Sequence, residues 1–241
     1  MIFKDRIRKK AIFYFANSAS DHALSIVASY SSAVMRVPAV RVNHPFHTLS
    51  LVIKNYSARM NESNLSVREI KQKDIPSIIQ YWLSSTKEHH ETMGVDVTKI
   101  PAEEEWRQML EKQIQQPYKE KKSYCIIWQL NGEAVGHSNI NKIKFGEEAY
   151  MHLHLWDSDE RMKGNGAAFV KMTLPWFFNN YQLQNLYCEP NALNIAPNKT
   201  VAKVGFKFIR QYRTTPGWIN FEQEVNLWSL SKYEYQKMTL S

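Results

Sequence analysis

The sequence of 241 residues is poor in the residues that mark repetitive or cross-linked proteins. Eight glycines and nine prolines are too few for a collagen-like or low-complexity chain. The only two cysteines, Cys125 and Cys188, fit no CxxC or Cys/His spacing, so we predict two reduced, buried thiols in a cytoplasmic protein and no metal site. No uninterrupted apolar run approaches the ~18 residues that suggest a membrane span. Aromatic residues, at 12%, are too frequent for a wholly disordered chain.

Positive charge is concentrated in one part of the chain. Residues 1–59 contain nine basic and two acidic residues and so carry +7 of the net charge of +8. We interpret them as a basic N-terminal extension. Four explanations are open: a poorly ordered segment, a targeting sequence, a structured addition, or a start codon assigned too early, in which case Met60 is the true first residue. Residues 60–241 are predicted to form one domain of net charge +1. The basic isoelectric point therefore gives little support for a nucleic-acid or membrane partner.

From Leu65 onward, periodicity and turn signals predict regular elements. Asn131-Gly132 between two alternating apolar runs predicts a hairpin. Asp74 is predicted to cap a helix that begins at Ile75, and Pro101 precedes a second helix that ends at Pro117. The predicted order is β-α-α-β-β-β-α-β-α-β-β. This order indicates an α/β protein whose mixed sheet carries helices on both faces.

Two segments carry the chemical information. Arg161-Met162-Lys163-Gly164-Asn165-Gly166-Ala167 lies between the predicted fourth strand and a helix. Its glycines and the helix N-terminus would offer backbone N–H groups to an anion, although an ordinary glycine turn explains this segment alone equally well. The second segment runs from Glu189-Pro190 through Asn194 and a short helix to Lys203-Val204-Gly205-Phe206.

Together the two segments resemble the motifs of the GNAT (Gcn5-related) N-acetyltransferase superfamily. Arg161–Ala167 matches the pattern (R/Q)xxGxG(A/G), and the resemblance extends over roughly residues 65–232. Glu189-Pro190 before Asn194 is similar to the aminoglycoside 6′- and siderophore-type branch, and the RimJ/RimL-like group is the broader alternative. The resemblance implies a mostly antiparallel central sheet that splays between its fourth and fifth strands.

The resemblance also implies acetyl-CoA as co-substrate. The pyrophosphate would bind the backbone of Arg161–Ala167, and the pantetheine arm would lie at the end of the fourth strand and beside Asn194. The implied contact residues are Leu155, Trp156, Arg161, Met162, Lys163, Gly164, Asn165, Gly166, Ala167, Asn194 and Asn198.

The implied reaction is direct attack of an amine on a thioester, which requires a base. Candidates are His152, His154 and Glu189, and an ordinary histidine pKa of ~6.5 suits this role. The resemblance places His152 at the position of the base and Glu189 beside the splay, so we predict these two as catalytic residues. Glu189 would orient His152 or hold the amine. The alternative is that all three have structural roles.

One departure concerns the general acid, since many relatives carry a tyrosine where this sequence has Val201. Another residue, such as Tyr187 or Tyr212, or solvent would then protonate the thiolate, and we interpret both tyrosines as packing residues. The adjacent His89 and His90 are interpreted as part of a solvated helix face. The predicted function is acetyl transfer to a small amine of the amino-sugar, polyamine or lysine-like type, by a monomer or homodimer. A protein N-terminus is the second acceptor, and a non-catalytic acyl-CoA-binding module is the rival function.

Overall fold

The computed structural model describes residues 64–156 and 164–240, so the predicted extension, residues 1–59, lies outside the described residues. The strands are β1 (Leu65–Glu69), β2 (Tyr124–Leu130), β3 (Glu133–Lys144), β4 (Glu148–Leu155), β5 (Asn185–Cys188), β6 (Lys207–Thr214) and β7 (Gln223–Ser231). The helices are α1 (Ile75–Ser84), α2 (Lys87–Thr92), α3 (Glu103–Gln115), α4 (Asn165–Tyr181), α5 (Ile195–Val204) and α6 (Lys232–Leu240). Short 3₁₀ turns cover Gln72–Asp74 and Val97–Lys99.

The described strands form one sheet in the order β1-β2-β3-β4-β5-β7-β6. Strands β4 and β5 are parallel, and the other neighbouring pairs are antiparallel. The β2–β3 hairpin turns at Asn131 and Gly132, whose φ angles are 54° and 85°. Two successive positive φ angles are what a tight hairpin of this twist requires, and asparagine and glycine adopt them at low cost. The predicted mixed sheet and its hairpin are confirmed.

The start of α1 is as predicted, but its predicted cap is wrong. Asp74 makes no side-chain hydrogen bond to the first turn of the helix. Its carboxylate instead accepts from both terminal nitrogens of Arg68, at 2.6 and 2.7 Å, and from the Lys71 backbone N–H. A buried carboxylate gains more from a bidentate guanidinium partner than from a helix amide, which explains the difference.

The sheet carries helices on both faces, as predicted. On the face that we call the α4 face, Tyr124, Ile126 and Trp128 of β2 pack against side chains of α4, α5 and α6. On the opposite face, the α1 face, Cys125 and Ile127 pack against α1 and α3. Side chains of a strand alternate between the two faces, so β2 contributes to both cores. Both cysteines are free and buried, as predicted.

Helix α6 has no counterpart in the predicted order. Its first turn has a capping box, in which Glu234 accepts from the Ser231 backbone N–H at 3.0 Å and the Ser231 hydroxyl accepts from the Glu234 N–H at 3.3 Å. This Ser-x-x-Glu spacing is visible in the sequence and would have predicted the helix. Within the described ranges, none of the helices is both long enough and apolar enough to cross a membrane.

The sheet opens between β4 and β5. Their pairing runs from Glu148 with Asn185 to Met151 with Cys188 and stops there, because β5 ends. Strand β4 continues to Leu155 and pairs only with β3 over these last residues. Backbone N–H and C=O groups of a strand point alternately to its two sides. Beyond Met151, every second residue of β4 therefore directs its N–H and C=O groups toward the gap. The predicted splay is confirmed.

Candidate active site

Two histidines of β4 project from the α1 face beside the gap. His152 lies opposite Asn139 of β3, and His154 lies opposite His137. All four line a cavity of about 410 Å³ between the sheet and helices α1 and α3. His152 and His154 also line a smaller cavity of about 80 Å³, whose other lining residues include Cys188 and Glu189 at the end of β5 and Asn194 and Pro197 at the start of α5. The two histidines therefore separate the gap in the sheet from the larger cavity.

His152 is the predicted base. Its Nε2 is buried and has no hydrogen-bond partner among the described residues. Burial lowers the pKa of His152 to about 4, and the nearby positive charge of Lys142 acts in the same direction. The imidazole is therefore neutral at physiological pH, and its Nε2 is available to a ligand in the cavity.

A network that the sequence did not predict surrounds His154. The Tyr81 hydroxyl of α1 lies 3.3 Å from His154 Nδ1 and 3.1 Å from His89 Nε2. The His154 ring stacks on His137 with centroids 4.6 Å apart. Burial is the main cause that lowers the pKa of His154 well below its ordinary value. These contacts fit a fixed, neutral histidine in a structural role.

His137 belongs to the same group and was also missed. The Trp156 indole Nε1–H donates to His137 Nδ1 at 2.8 Å, so a neutral His137 carries its proton on Nε2. Burial lowers the pKa of His137 to about 3, with the charge of His152 adding to the effect. The signal was present in the sequence, because His137, Asn139 and Asn141 alternate along one strand and share a face.

Glu189 follows β5 on the other side of the gap. Its carboxylate is buried, accepts from the Tyr212 hydroxyl and lies 3.3 Å from Lys142 Nζ. Glu189 and His152 line the same small cavity, but they share no hydrogen bond. Glu189 therefore does not orient His152 directly. Tyr212, interpreted from the sequence as a packing residue, is instead a hydrogen-bond donor in the site.

The start of α4 is the described part of the predicted anion cradle. Gly164 precedes the helix with φ at 82°, a conformation that favours glycine. Among the described residues, no side chain caps this helix, and its first turn contains no acidic residue. A helix N-terminus with unpaired backbone N–H groups is the arrangement that binds phosphate groups. Asn165, Gly166 and Ala167 form the first turn, whereas Arg161, Met162 and Lys163 lie outside the described residues.

The remaining predicted cofactor residues lie around the gap. Leu155 is the last residue of β4 and Trp156 follows it, with the Trp156 backbone N–H donating to the Val135 carbonyl at 2.9 Å. Asn194 precedes α5 and donates from its side chain to the Thr92 carbonyl at 3.2 Å. Asn194 also lines the small cavity.

The Asn198 side chain is occupied within the protein. Its amide nitrogen donates to the carbonyls of Asn191 and Asn194, at 3.0 and 2.8 Å. Its Oδ1 accepts from Asn226 and Trp228, at 2.9 and 2.8 Å. Asn198 is therefore suited to fixing the start of α5, and its predicted contact with the pantetheine arm stays a prediction.

Two further predictions concern residues near the site. The adjacent histidines were predicted to lie on a solvated face, which is wrong for His90. It is buried and stacks on Trp82 with ring centroids 6.2 Å apart, because α2 packs against α1. Val201, at the position where many relatives carry a tyrosine, is fully buried in the core of the α4 face and offers no proton.

The fold and this site define an acyltransferase-type α/β protein, with a splayed sheet, a glycine-led helix N-terminus and histidines beside the gap. A model of the acetyltransferase (GNAT) domain family matches residues 64–207. The chain belongs to the GNAT acetyltransferase family. A search of curated protein sequences finds no match.

Solved structures with the same fold include several acetyltransferases. A spermidine N-acetyltransferase from Vibrio cholerae with CoA and spermine is 14% identical, with a TM-score of 0.59 over 71% of this chain and 98% of that chain. A RimL-type ribosomal L7/L12 α-N-protein acetyltransferase with coenzyme A is 15% identical, with a TM-score of 0.58 over 70% and 95%. An aminoglycoside acetyltransferase with coenzyme A is 13% identical, with a TM-score of 0.57 over 73% and 99%. At these identities the likeness establishes the fold.

Proposed function

We propose that the protein transfers the acetyl group of acetyl-CoA to the primary amine of a small molecule. The observation that carries this proposal is the unpaired Nε2 of His152, between the gap in the sheet and the larger cavity. A neutral imidazole nitrogen in this position is suited to accept a proton from an amine that reaches the gap.

Acetyl-CoA would bind along the gap and supply an activated acetyl thioester. The first turn of α4 would hold the pyrophosphate, with Arg161 and Lys163 as additional positive charges. The β4 backbone beside the gap would bind the pantetheine arm, with Leu155, Trp156 and Asn194 at its borders. These assignments are supported by the α4 N-terminus, which has no side-chain cap among the described residues, and by the end of β4–β5 pairing at Met151.

The amine nitrogen then forms a bond to the acetyl carbon as the carbon–sulfur bond breaks. His152 Nε2 accepts the proton that the nitrogen loses. With a pKa of about 4, His152 holds that proton only briefly and passes it to solvent. A backbone N–H at the gap would donate to the oxygen on which negative charge develops. The leaving thiolate takes its proton from solvent, since Val201 supplies none.

Glu189 is assigned a supporting role in this scheme. It accepts from Tyr212 and pairs with Lys142, so it places a negative charge beside the gap. A carboxylate there offsets the Lys142 charge that depresses the His152 pKa.

The acceptor is proposed to be a small molecule, with a protein N-terminus as the alternative. The solved neighbours act on a polyamine, an aminoglycoside and a ribosomal protein, so they support a primary amine in general. The two buried, free thiols agree with the cytoplasmic location that we propose. We also propose that residues 1–59 form an extension separate from the catalytic domain, residues 60–241.

Two measurements on the full chain test the proposal. Calorimetry with acetyl-CoA should show binding, and a chromogenic thiol assay should show release of CoA that depends on an added primary amine. Absence of acetyl-CoA binding would overturn the proposed function. Binding without thiol release for any primary amine of a broad panel would leave a non-catalytic acyl-CoA-binding module.

A further inference from the structure

We infer that the acceptor is a primary amine on an apolar, aromatic body that carries no second cationic group. This inference rests on the proposed function and concerns the cavity of about 410 Å³ on the α1 face. An aromatic monoamine acceptor differs from the amino-sugar and polyamine acceptors expected from the sequence.

Three tryptophans form a continuous aromatic wall of this cavity. The rings of Trp82 and Trp106 stack with centroids 5.8 Å apart, and Trp106 and Trp218 lie 6.0 Å apart. Trp82 and Trp106 are buried, whereas Trp218 is 55% exposed and so reaches the solvent side. Aliphatic lining residues complete this wall, namely Ile70, Ile78, Met93, Val95, Met109, Leu110, Ile114 and Ile219. Such a wall gains most from a flat apolar ligand.

The charged lining residues do not match a polycation. Among the described lining residues, Glu69 is the one carboxylate, against two lysines. One oxygen of Glu69, Oε1, already accepts from the hydroxyls of Tyr118 and Tyr124, each at 2.5 Å. A second ammonium group in the cavity would therefore lose its hydration and meet, among the described lining residues, two lysines of like charge and one carboxylate whose Oε1 is already occupied, which is unfavourable.

The histidines and one lysine of the cavity support the same conclusion. Burial lowers the pKa values of His137, His152, His154 and Lys121, so this environment disfavours positive charge. The Lys121 ammonium donates to the carbonyls of Gln113 and Ile114 at the end of α3, so it is held by the helix.

Three buried polar atoms of the lining lack a hydrogen-bond partner among the described residues. They are His152 Nε2, Asn141 Oδ1 and Trp106 Nε1. The first two belong to the sheet and suit the N–H groups of an acceptor amine. Trp106 Nε1 is a donor on α3, so it suits an oxygen on the ligand body. Unpaired buried polar groups are costly, and a ligand that pairs them is selected over one that does not.

The test uses the full chain, saturating acetyl-CoA and four amines in the thiol-release assay. Phenethylamine and tyramine are aromatic monoamines, and spermidine and kanamycin are polycations. We expect kcat/KM for the aromatic pair to exceed that for the polycations at least tenfold. Turnover that favours spermidine or kanamycin would overturn the inference and leave the proposed acetyl transfer intact. Absence of acetyl-CoA binding would instead overturn the proposed function.

Two substitutions sharpen this test. Trp106→Phe keeps an aromatic ring but removes the N–H, so it should raise KM for tyramine several-fold and leave KM for phenethylamine nearly unchanged.

Met109→Glu adds a carboxylate to the lining and should shift the ratio of kcat/KM values toward spermidine at least fivefold. Gln115→Glu makes the same charge change at an exposed α3 position outside the lining, and it should leave the ratio unchanged. Equal shifts in the two glutamate variants would contradict a cavity effect.

Discussion

The two faces of the sheet are built from the same strands, but one face forms a packed core and the other lines a cavity. On the α4 face, large apolar side chains such as Phe169, Phe177 and Leu186 are at most 1% exposed. The Trp128 indole donates there to the Thr173 hydroxyl at 3.0 Å, and the Tyr181 hydroxyl is the one buried side-chain polar atom of this core without a partner among the described residues. On the α1 face, the same sheet lines a cavity of about 410 Å³ in which His152, Asn141 and Trp106 each leave a polar atom unpaired.

Strand β4 shows how one element serves both faces. Met151 is 1% exposed in the core of the α4 face, whereas His152 and His154 point to the α1 face. The strand is fixed by its apolar side and by its pairing with β3, so its polar side is held rigidly. The comparison predicts that substitutions on the α4 face change stability, whereas those on the α1 face change turnover.

The largest expected loss of stability comes from Phe178→Ala on the α4 face. Phe178 is 2% exposed and stacks on Tyr235 of α6 with centroids 4.5 Å apart. Truncation of a buried phenylalanine leaves a cavity and should lower the free energy of unfolding by about 3–5 kcal/mol. Urea denaturation followed by circular dichroism measures this loss.

Met172→Ala is the matched control on the same helix. Met172 is 37% exposed, so its truncation should change the free energy of unfolding by about 0.5 kcal/mol or less. Equal losses for the two variants would show that α4 is not packed as described. Folded Phe178→Ala protein should retain its turnover, which would separate the two faces.

His152→Gln is the opposite case on the α1 face. It removes the proposed base while keeping a polar side chain, so kcat should fall about 10²-fold or more. The free energy of unfolding should change little, because His152 Nε2 has no hydrogen bond to lose among the described residues. Turnover within threefold of the parent protein would show that His152 is not the base.

The sequence was sufficient for most of the fold but not for the contacts within the site. Alternation, the Asn131-Gly132 turn and the glycine after α5 are local signals, so the predicted strands and the main helices agree with the structure. The partners of Glu189 depend on side chains from β3 and β6 that are distant in sequence. No local pattern predicts that Tyr212 donates to Glu189 while His152 Nε2 has no partner among the described residues.

Acid conditions should weaken the α1 face specifically. The pKa values of His137 and His152 are lowered to about 3 and about 4, and that of His154 is also lowered. Between about pH 6.5 and pH 4, the unfolded chain binds protons that these native histidines do not bind. Stability is therefore full above pH 6.5 and falls as the pH decreases, by up to about 1.4 kcal/mol per pH unit for each histidine.

Urea midpoints at pH 7.5, 6.0 and 5.0 measure this dependence. The His152→Gln variant lacks one of the titrating groups, so its midpoint should fall less steeply with decreasing pH. Identical pH dependence in the two proteins would mean that His152 binds its proton over the same pH range in the native and the unfolded state. In parallel, kcat at saturating amine should not decrease between pH 8 and pH 6 through protonation of His152, because the pKa of His152 is about 4.

The smallest expected effect is that of Tyr212→Phe. Tyr212 donates to Glu189, and its removal leaves that buried carboxylate with Lys142 as its remaining side-chain partner among the described residues. Loss of one hydrogen bond of about 0.5–1.5 kcal/mol should lower kcat about threefold to tenfold, without raising KM for the amine. Tyr233→Phe, at a position 65% exposed on α6, is the control that should leave kcat unchanged. A rise in KM with constant kcat would instead assign Glu189 to binding of the amine. In that case the substitution weakens the contact between Glu189 and the amine substrate, which affects affinity and not the transfer step.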